Sequence, residues 1–276
     1  YLMRTTSLLL LTAVSIACMS SAKAQKAKFS YFTYSGNDTR FEKQIDNSCQ
    51  YLNPVMAGFY PDPSMCRKGD TYYLVNSSFS FFPGVPIFTS KDLVNWKQIG
   101  HVLDRPSQLP LHGQKVSQGI FAPAISYNKK NNTFYMITTN IGMGNFFVKT
   151  KDPAKGWSDP ILLPNVRGID PSFSFDDNGK AYQFYSSENN ATLYISELTD
   201  DYLKPTGRYT RNFVKQSREA PAVFKYNGKY YMLSSGCTGW DPNVAELAVA
   251  DSIMGQWTTI GNPCTGPDAD KTFYAQ

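Results

Sequence analysis

Histidine is almost missing from this chain. The two present, His101 and His112, lie too far apart for a helical zinc pair and have no cysteine cluster beside them, which excludes the common zinc-hydrolase arrangements. Charge is also sparse, at 18% of residues, and the net value is only +5. Arg4 and Lys23 supply two of those charges, and the other Lys and Arg residues are scattered rather than striped along one face. A nucleic-acid partner is therefore not expected. No apolar run is long enough to span a bilayer. Long stretches with helical period are scarce. What is abundant is aromatic: 18 Tyr and 18 Phe, punctuated by 19 Gly and 17 Pro. Aromatic-rich segments between closely spaced turn residues predict strands, so the chain reads as all-β.

The first 24 residues read as a targeting segment. Arg4 makes a positive start, Leu8–Ala17 an apolar stretch, and Ala22-Lys23-Ala24 a small-x-small cleavage site before Gln25. Ile16-Ala17-Cys18 partly matches a lipid-attachment site, but Ser15 stands where Leu is usual, which favours cleavage after Ala24. Export to the periplasm or the extracellular space is expected. Residues 25–52 form a polar extension without repeat. Four cysteines follow the segment, and Cys237–Cys264 is the first pair to consider for a bridge in an oxidising compartment, although spacing does not fix connectivity. Tyr1 and Leu2 precede Met3, and the chain stops within a strand-like run at Phe273-Tyr274-Ala275-Gln276, so it reads as part of a longer frame.

From residue 53 onward one pattern recurs. It opens at Asp62-Pro63-Ser64, Ala122-Pro123-Ala124, Asp170-Pro171-Ser172 and Ala220-Pro221-Ala222, with prolines 60, 48 and 50 residues apart. Each opening is followed by a polar turn and a Tyr-rich strand, as in Gly69-Asp70-Thr71-Tyr72-Tyr73 and Gly228-Lys229-Tyr230-Tyr231. Trp96, Trp157 and Trp257 close three of the units. A period of about 50 residues with four short strands per unit predicts a β-propeller rather than a sandwich. Four units are present and Lys271–Gln276 would begin a fifth, so the expectation is a five-bladed propeller over residues 53–276, incomplete at its last blade. The first strand of each blade lines the central channel. Residues of equal phase then meet around one axis, and carboxylates far apart in sequence share one space.

Those carboxylates carry a resemblance. Asn53-Pro54-Val55-Met56-Ala57-Gly58-Phe59-Tyr60-Pro61-Asp62-Pro63-Ser64 resembles the opening of glycoside hydrolase family 43, the β-xylosidase and α-L-arabinofuranosidase family. Gly168-Ile169-Asp170-Pro171-Ser172 and Arg218-Glu219-Ala220-Pro221 resemble its second and third acidic motifs, and the likeness runs through residues 53–276. It implies inverting hydrolysis of plant cell-wall side chains or oligosaccharides, with xylose or arabinose released. Asp62 is then the base that activates water, Glu219 the acid that protonates the leaving oxygen, and Asp170 the neighbour that keeps the Glu219 proton in place by like charge. Phe59, Phe82 and Phe121 are candidates for an apolar floor under a sugar ring, with core packing favoured for Phe82. Arg105 and Arg167 are candidates for sugar contacts, a surface ion pair being the equal alternative. Phe121 stands where the family more often has Trp.

From Tyr182 onward the likeness shifts. Arg218–Lys225 and Ser234-Ser235-Gly236-Cys237-Thr238-Gly239-Trp240-Asp241-Pro242-Asn243 resemble the exo-β-1,3-galactanase branch, which usually lacks the acid found here at Asp62. A galactan-cleaving enzyme is therefore the alternative within the class. A non-catalytic carbohydrate-binding propeller is the alternative outside it, opposed by the presence of all three acids. No cofactor is required. Family relatives often hold calcium in the channel through a His of the last blade, so the resemblance allows a structural calcium ion that the residues present here do not indicate. The partner expected is a carbohydrate; nothing sets an oligomeric state.

Overall fold

The computed structural model describes residues 45–164, Val166 and residues 168–270. The expected targeting segment, most of the extension, Arg167 and Lys271–Gln276 lie outside the described residues. The chain divides at Gln50, and every strand belongs to the unit that starts at Tyr51.

Among the described residues, sixteen strands form four antiparallel sheets, each a simple meander. Blade 1 contains β1 (Ser64–Lys68), β2 (Thr71–Val75), β3 (Gly84–Ser90) and β4 (Lys97–Leu103). Blade 2 contains β5 (Ile120–Asn128), β6 (Thr133–Asn140), β7 (Gly144–Thr150) and β8 (Ile161–Leu162). Blade 3 contains β9 (Ser172–Phe175), β10 (Ala181–Ser187), β11 (Thr192–Leu198) and β12 (Pro205–Asn212). Blade 4 contains β13 (Arg218–Tyr226), β14 (Lys229–Gly236), β15 (Glu246–Ala250) and β16 (Thr258–Gly261). The four repeats read from the sequence are these blades. The described residues contain four of the five expected.

The meander follows from turn chemistry. Each first hairpin reverses at residues that tolerate a left-handed backbone, with φ of 58° at Gly69, 53° at Asn132, 82° at Gly179 and 78° at Gly228. Alternation then assigns each face. On β6, Phe134 and Met136 pack towards blade 1 with Val75, Val85 and Ile87, while Tyr135 and Ile137 pack towards blade 3 with Phe173 and Tyr185. On β10, Tyr182 and Phe184 turn the other way, onto Tyr230 and Met232 of blade 4. A period of two on a strand buried on both sides thus glues three successive blade pairs. Burying a side chain such as Phe134 or Phe184 contributes about 2–3 kcal/mol each. Trp157 and Trp257 are buried in these layers, and Trp257 donates its ring N–H to the Ile253 carbonyl at 3.1 Å.

First strands of neighbouring blades lie side by side: β1 against β5, β5 against β9 and β9 against β13. Hydroxyls stitch them together. Ile125 N–H donates to Ser64 Oγ at 3.1 Å, Ser126 Oγ–H to the Phe173 carbonyl at 2.8 Å, and Ser172 Oγ–H to the Pro221 carbonyl at 2.7 Å.

The cysteine expectation is not met. Cys49, Cys66, Cys237 and Cys264 are all free thiols. Cys237 follows β14 and Cys264 follows β16, so β15 lies between the strands that lead to them.

Candidate active site

The residue before each repeating proline has a left-handed backbone in all four blades. The φ values are 51° at Asp62, 34° at Ala122, 54° at Asp170 and 52° at Ala220. Non-glycine residues occupy this region reluctantly, and here they do so at one structural position four times over. Asp62 and Asp170 are therefore equivalent, as their phase in the sequence implies.

Glu219 is not. It lies one residue earlier in its repeat, at the position that Phe121 occupies in blade 2. The structure reconciles the slip with a bulge. The β13–β14 register shifts between Glu219 and Ala222, and the β5–β6 register shifts between Phe121 and Ala124. An extra residue in one strand re-aims a side chain, and this brings Glu219 into the group formed by Asp62 and Asp170. Grouping all three acids by equal phase was thus one residue out for Glu219.

The acids are held by groups from other segments. Ser77 Oγ–H donates to Asp62 Oδ2, and Ala122 N–H donates both to Ser77 Oγ at 2.8 Å and to the Asp62 carboxylate. Ala220 N–H donates to Asp170 Oδ2 at 3.2 Å. In both cases the left-handed alanine of an even-numbered blade supplies its amide to the Asp of the blade before it.

Local sequence fixes Asp170. The Gly168 backbone passes so close to β10 that a Cβ would sit 1.3 Å from the Ser186 carbonyl oxygen, so only glycine fits. Ser186 N–H donates to the Ile169 carbonyl at 3.1 Å. From beneath, buried Asn145 donates its amide to the carbonyls of Val166 and Gly168, both at 3.0 Å, while accepting from Thr139 Oγ1 at 2.5 Å. Asn145 had no motif to mark it. Its role appears only when β7 lies under the loop.

The electrostatics follow from crowding. Burial raises Asp62 above the usual carboxylate range, partly offset by the donors Ser77 and Ala122. Asp170 is pushed up to about 8, by dense enclosure first, then by the charges of Glu219 and Asp62. Glu219 is buried at 6% exposure. Three such carboxyls cannot all be ionised at neutral pH, and the like-charge effect acts in both directions. At neutral pH Asp170 therefore holds a proton beside Glu219.

Beside the acids lies an aromatic cluster centred on buried Phe79. Its ring centroid is 5.9 Å from Phe59, 5.5 Å from Phe121 and 5.6 Å from Trp240. Phe59 and Trp240 are 64% and 66% exposed, so apolar ring faces are open to a ligand. The sequence reading picked out Phe59 and Phe121 but not the hub Phe79, which joins rings from three blades. Phe82 is half exposed, not packed in the core, and belongs to no ring pair of the cluster. Arg105 is engaged elsewhere. Its guanidinium donates to Asp159 Oδ1 at 2.8 Å and the Trp157 carbonyl at 3.2 Å, tying a blade 1 loop to blade 2 as the ion-pair alternative described. Among the described residues no group of three or more His, Cys, Asp and Glu side chains is arranged to hold a metal ion. No step below runs through a metal ion. No described helix is long and apolar enough to cross a membrane.

Acids converging from the openings of propeller blades, beside exposed aromatic rings, define a carbohydrate-active propeller site. Comparison with known proteins then gives the family. The family model for glycosyl hydrolases family 43 matches residues 51–271, and the chain belongs to that family. A xylosidase/arabinosidase of Butyrivibrio fibrisolvens is 47% identical over 197 residues, covering 66% of this chain and 38% of the relative. The crystal structure of a family 43 subfamily 12 protein from a capybara gut metagenome matches with TM-score 0.70 and 45% identity, over 76% of this chain and 43% of that one. A family 43 β-1,3-galactosidase with galactodeoxynojirimycin matches with TM-score 0.63 and 31% identity, over 78% of this chain and 79% of that one. The chain spans about two fifths of the length of the xylosidase/arabinosidase relative.

Proposed function

We propose that this domain hydrolyses terminal β-xylosyl or α-L-arabinofuranosyl units of plant cell-wall side chains or oligosaccharides, with inversion at the anomeric carbon. The observation that carries the reading is the convergence of Asp62, Asp170 and Glu219, with Asp62 and Asp170 each accepting an amide from the blade that follows. In this reading Asp62 removes a proton from water, which attacks the anomeric carbon as Glu219 protonates the departing oxygen. Inversion needs the base and acid roughly 6.5–9.5 Å apart so that the water fits between them. Ser77 and Ala122 oppose the effect of burial on Asp62 and favour its ionised form, as a base requires. Asp170, raised to about 8 by burial and by its acidic neighbours, holds a proton beside Glu219 at neutral pH. Phe59, Phe121 and Trp240 offer faces for the C–H side of a sugar ring.

A β-1,3-galactan substrate is the second reading. The segment Ser234–Asn243 and the likeness to a galactosidase structure of comparable length favour it. A fifth blade closing the ring, and export of the protein, belong to the same proposal. Apolar side chains at 47% exposure on Phe224 and 59% on Ile260 leave a face of blade 4 for such a neighbour.

The test is hydrolysis of nitrophenyl β-xyloside, α-L-arabinofuranoside and β-galactoside, with the first-formed anomer followed by NMR. Release of xylose or arabinose with inverted configuration supports the first reading. Turnover of the galactoside alone overturns it in favour of the second, and retention overturns the mechanism.

A further inference from the structure

One hydroxyl position repeats in every blade. The residue two beyond the strained position pairs with Val75 in blade 1, Ile137 in blade 2, Phe184 in blade 3 and Leu233 in blade 4. Two residues further along the chain stand Ser77, Thr139, Ser186 and Ser235, all buried. In the odd blades the equivalence extends to the main chain. Ser77 N–H donates to the Pro61 carbonyl at 3.0 Å and Ser186 N–H to the Ile169 carbonyl at 3.1 Å, in each case the residue before the aspartate.

The two side chains then diverge. Ser77 Oγ–H donates to Asp62 Oδ2, whereas Ser186 Oγ–H donates to the Arg218 carbonyl at 3.1 Å, on the first strand of blade 4. A hydroxyl has one proton to give. The Ala122 N–H is a fixed main-chain donor that meets Ser77 Oγ at 2.8 Å, so a lone pair of that oxygen is taken and the hydroxyl proton is left for the carboxylate. Ala220 N–H, at the same position in blade 4, donates directly to Asp170 Oδ2 at 3.2 Å.

The consequence is electrostatic. A donor aimed at a carboxylate favours the ionised form. Burial raises both Asp62 and Asp170, but at Asp62 the Ser77 hydroxyl is the largest opposing influence, while Asp170 reaches about 8. The titratable groups facing Asp62 are Asp170 of blade 3, which its charge raises, and Glu219 of blade 4 beside Asp170. Both are acids, so neither favours a charge on Asp62.

We propose that Ser77 is the positioning residue that makes Asp62, rather than Asp170, the base: oriented by the amide of Ala122, its hydroxyl fixes Oδ2 as an acceptor and holds the carboxylate ready to take a proton from water. This rests on the assignment of Asp62 as the base. In the step itself one proton passes from water to Asp62 as the water oxygen bonds to the anomeric carbon, and Ser77 keeps its own proton. Ser186, equivalent in place but turned onto the main chain of the next blade, leaves Asp170 to hold its proton.

The experiment follows kcat/KM against pH on the dinitrophenyl β-xyloside, α-L-arabinofuranoside or β-galactoside that the parent turns over. Such a leaving group needs little protonation, so the acid limb reports the base. Ser77→Ala removes a donor to the ionised form, Asp62 should then protonate at higher pH, and the acid limb should rise by about one pH unit. The loss is about tenfold below the limb and shrinks above it. Ser77→Thr keeps the hydroxyl and should restore the parent's limb. Ser77→Cys, a weaker donor, should give an intermediate shift and serves if Ser77→Ala folds poorly. Ser186→Ala should leave the limb in place, any loss of turnover being even across the range. An unmoved limb in the Ala and Cys variants of Ser77, or an equal movement in Ser186→Ala, overturns the proposal and leaves Ser77 a structural hydroxyl. If Asp62→Asn still shows the acid limb, Asp62 is not the base, and the underlying assignment falls instead.

Discussion

Blades 1 and 3 open with Asp before proline, and blades 2 and 4 open with Ala at the same strained position. The odd blades begin their first strand only after the proline, at Ser64 and Ser172; the even blades begin two residues before the strained alanine, at Ile120 and Arg218, and bulge across it. The difference divides the labour. Odd blades contribute a carboxylate from the strained residue itself. Even blades contribute that residue's amide as a donor, to the carboxylate of the blade before, and use the side chain one position earlier. In blade 2 that side chain is Phe121; in blade 4 it is Glu219. One backbone device thus yields an acid, an apolar wall or a hydrogen bond, depending on which residue fills it.

The strongest way to break this comparison is at blade 4. Glu219→Gln should lower turnover of poor leaving groups by about 10²–10⁴-fold, with much of the loss recovered on dinitrophenyl glycosides, measured as kcat/KM. Activity within a few-fold of the parent would place the acid elsewhere. Blade 1 should respond differently. Asp62→Asn should lose a similar factor with every leaving group, because the water still lacks its base, and added azide should restore turnover with inverted product.

The support beneath blade 3 gives a smaller effect. Asn145→Leu removes the donors to Val166 and Gly168 and strands two carbonyls, so a loss of about 1–3 kcal/mol in chemical denaturation is expected, together with reduced turnover. The crowding of the acids gives a sign. Asp170 has its folded-state pKa raised from 3.8 to about 8, so between those values the folded state binds more protons than the unfolded one. Stability should therefore fall as pH rises from about 4 to about 8. Asp170→Asn should flatten that slope in melts across the range, and an unchanged slope would show that Asp170 ionises freely. The smallest effect is expected at the even blades' alanine. Ala220→Gly keeps the N–H to Asp170 and relieves a left-handed φ, so stability should change by less than about 1 kcal/mol with turnover near the parent's.

Much of this was legible in advance, for identifiable reasons. The Pro-small step and the Gly or Asn turns are local chemistry, and they locate the blades and the equivalence of Asp62 and Asp170. The phase of Glu219 was misread because a bulge leaves no mark in the alternation of apolar and polar residues. Phe79 escaped notice because its partners Phe59, Phe121 and Trp240 arrive from three different blades. Arg105 stood in a motif, but its partner Asp159 lies 54 residues away, and only the docking of blade 1 on blade 2 brings them together. The cysteine pairing failed for a related reason: spacing along the chain says nothing about which strands lie between.

The amides of Ala122 and Ala220 cross from one blade to satisfy an acid on another. The functional unit is therefore smaller than the propeller but larger than any blade, since each acid acquires its working environment only when two sheets meet. An isolated blade would carry its aspartate as an ordinary hydrated surface charge. A substitution deep in the layer between blades, such as at Phe134 or Phe184, can then surface as a kinetic lesion in a protein whose strands are all still formed. Turnover is in that sense a gauge of how closely neighbouring sheets are seated.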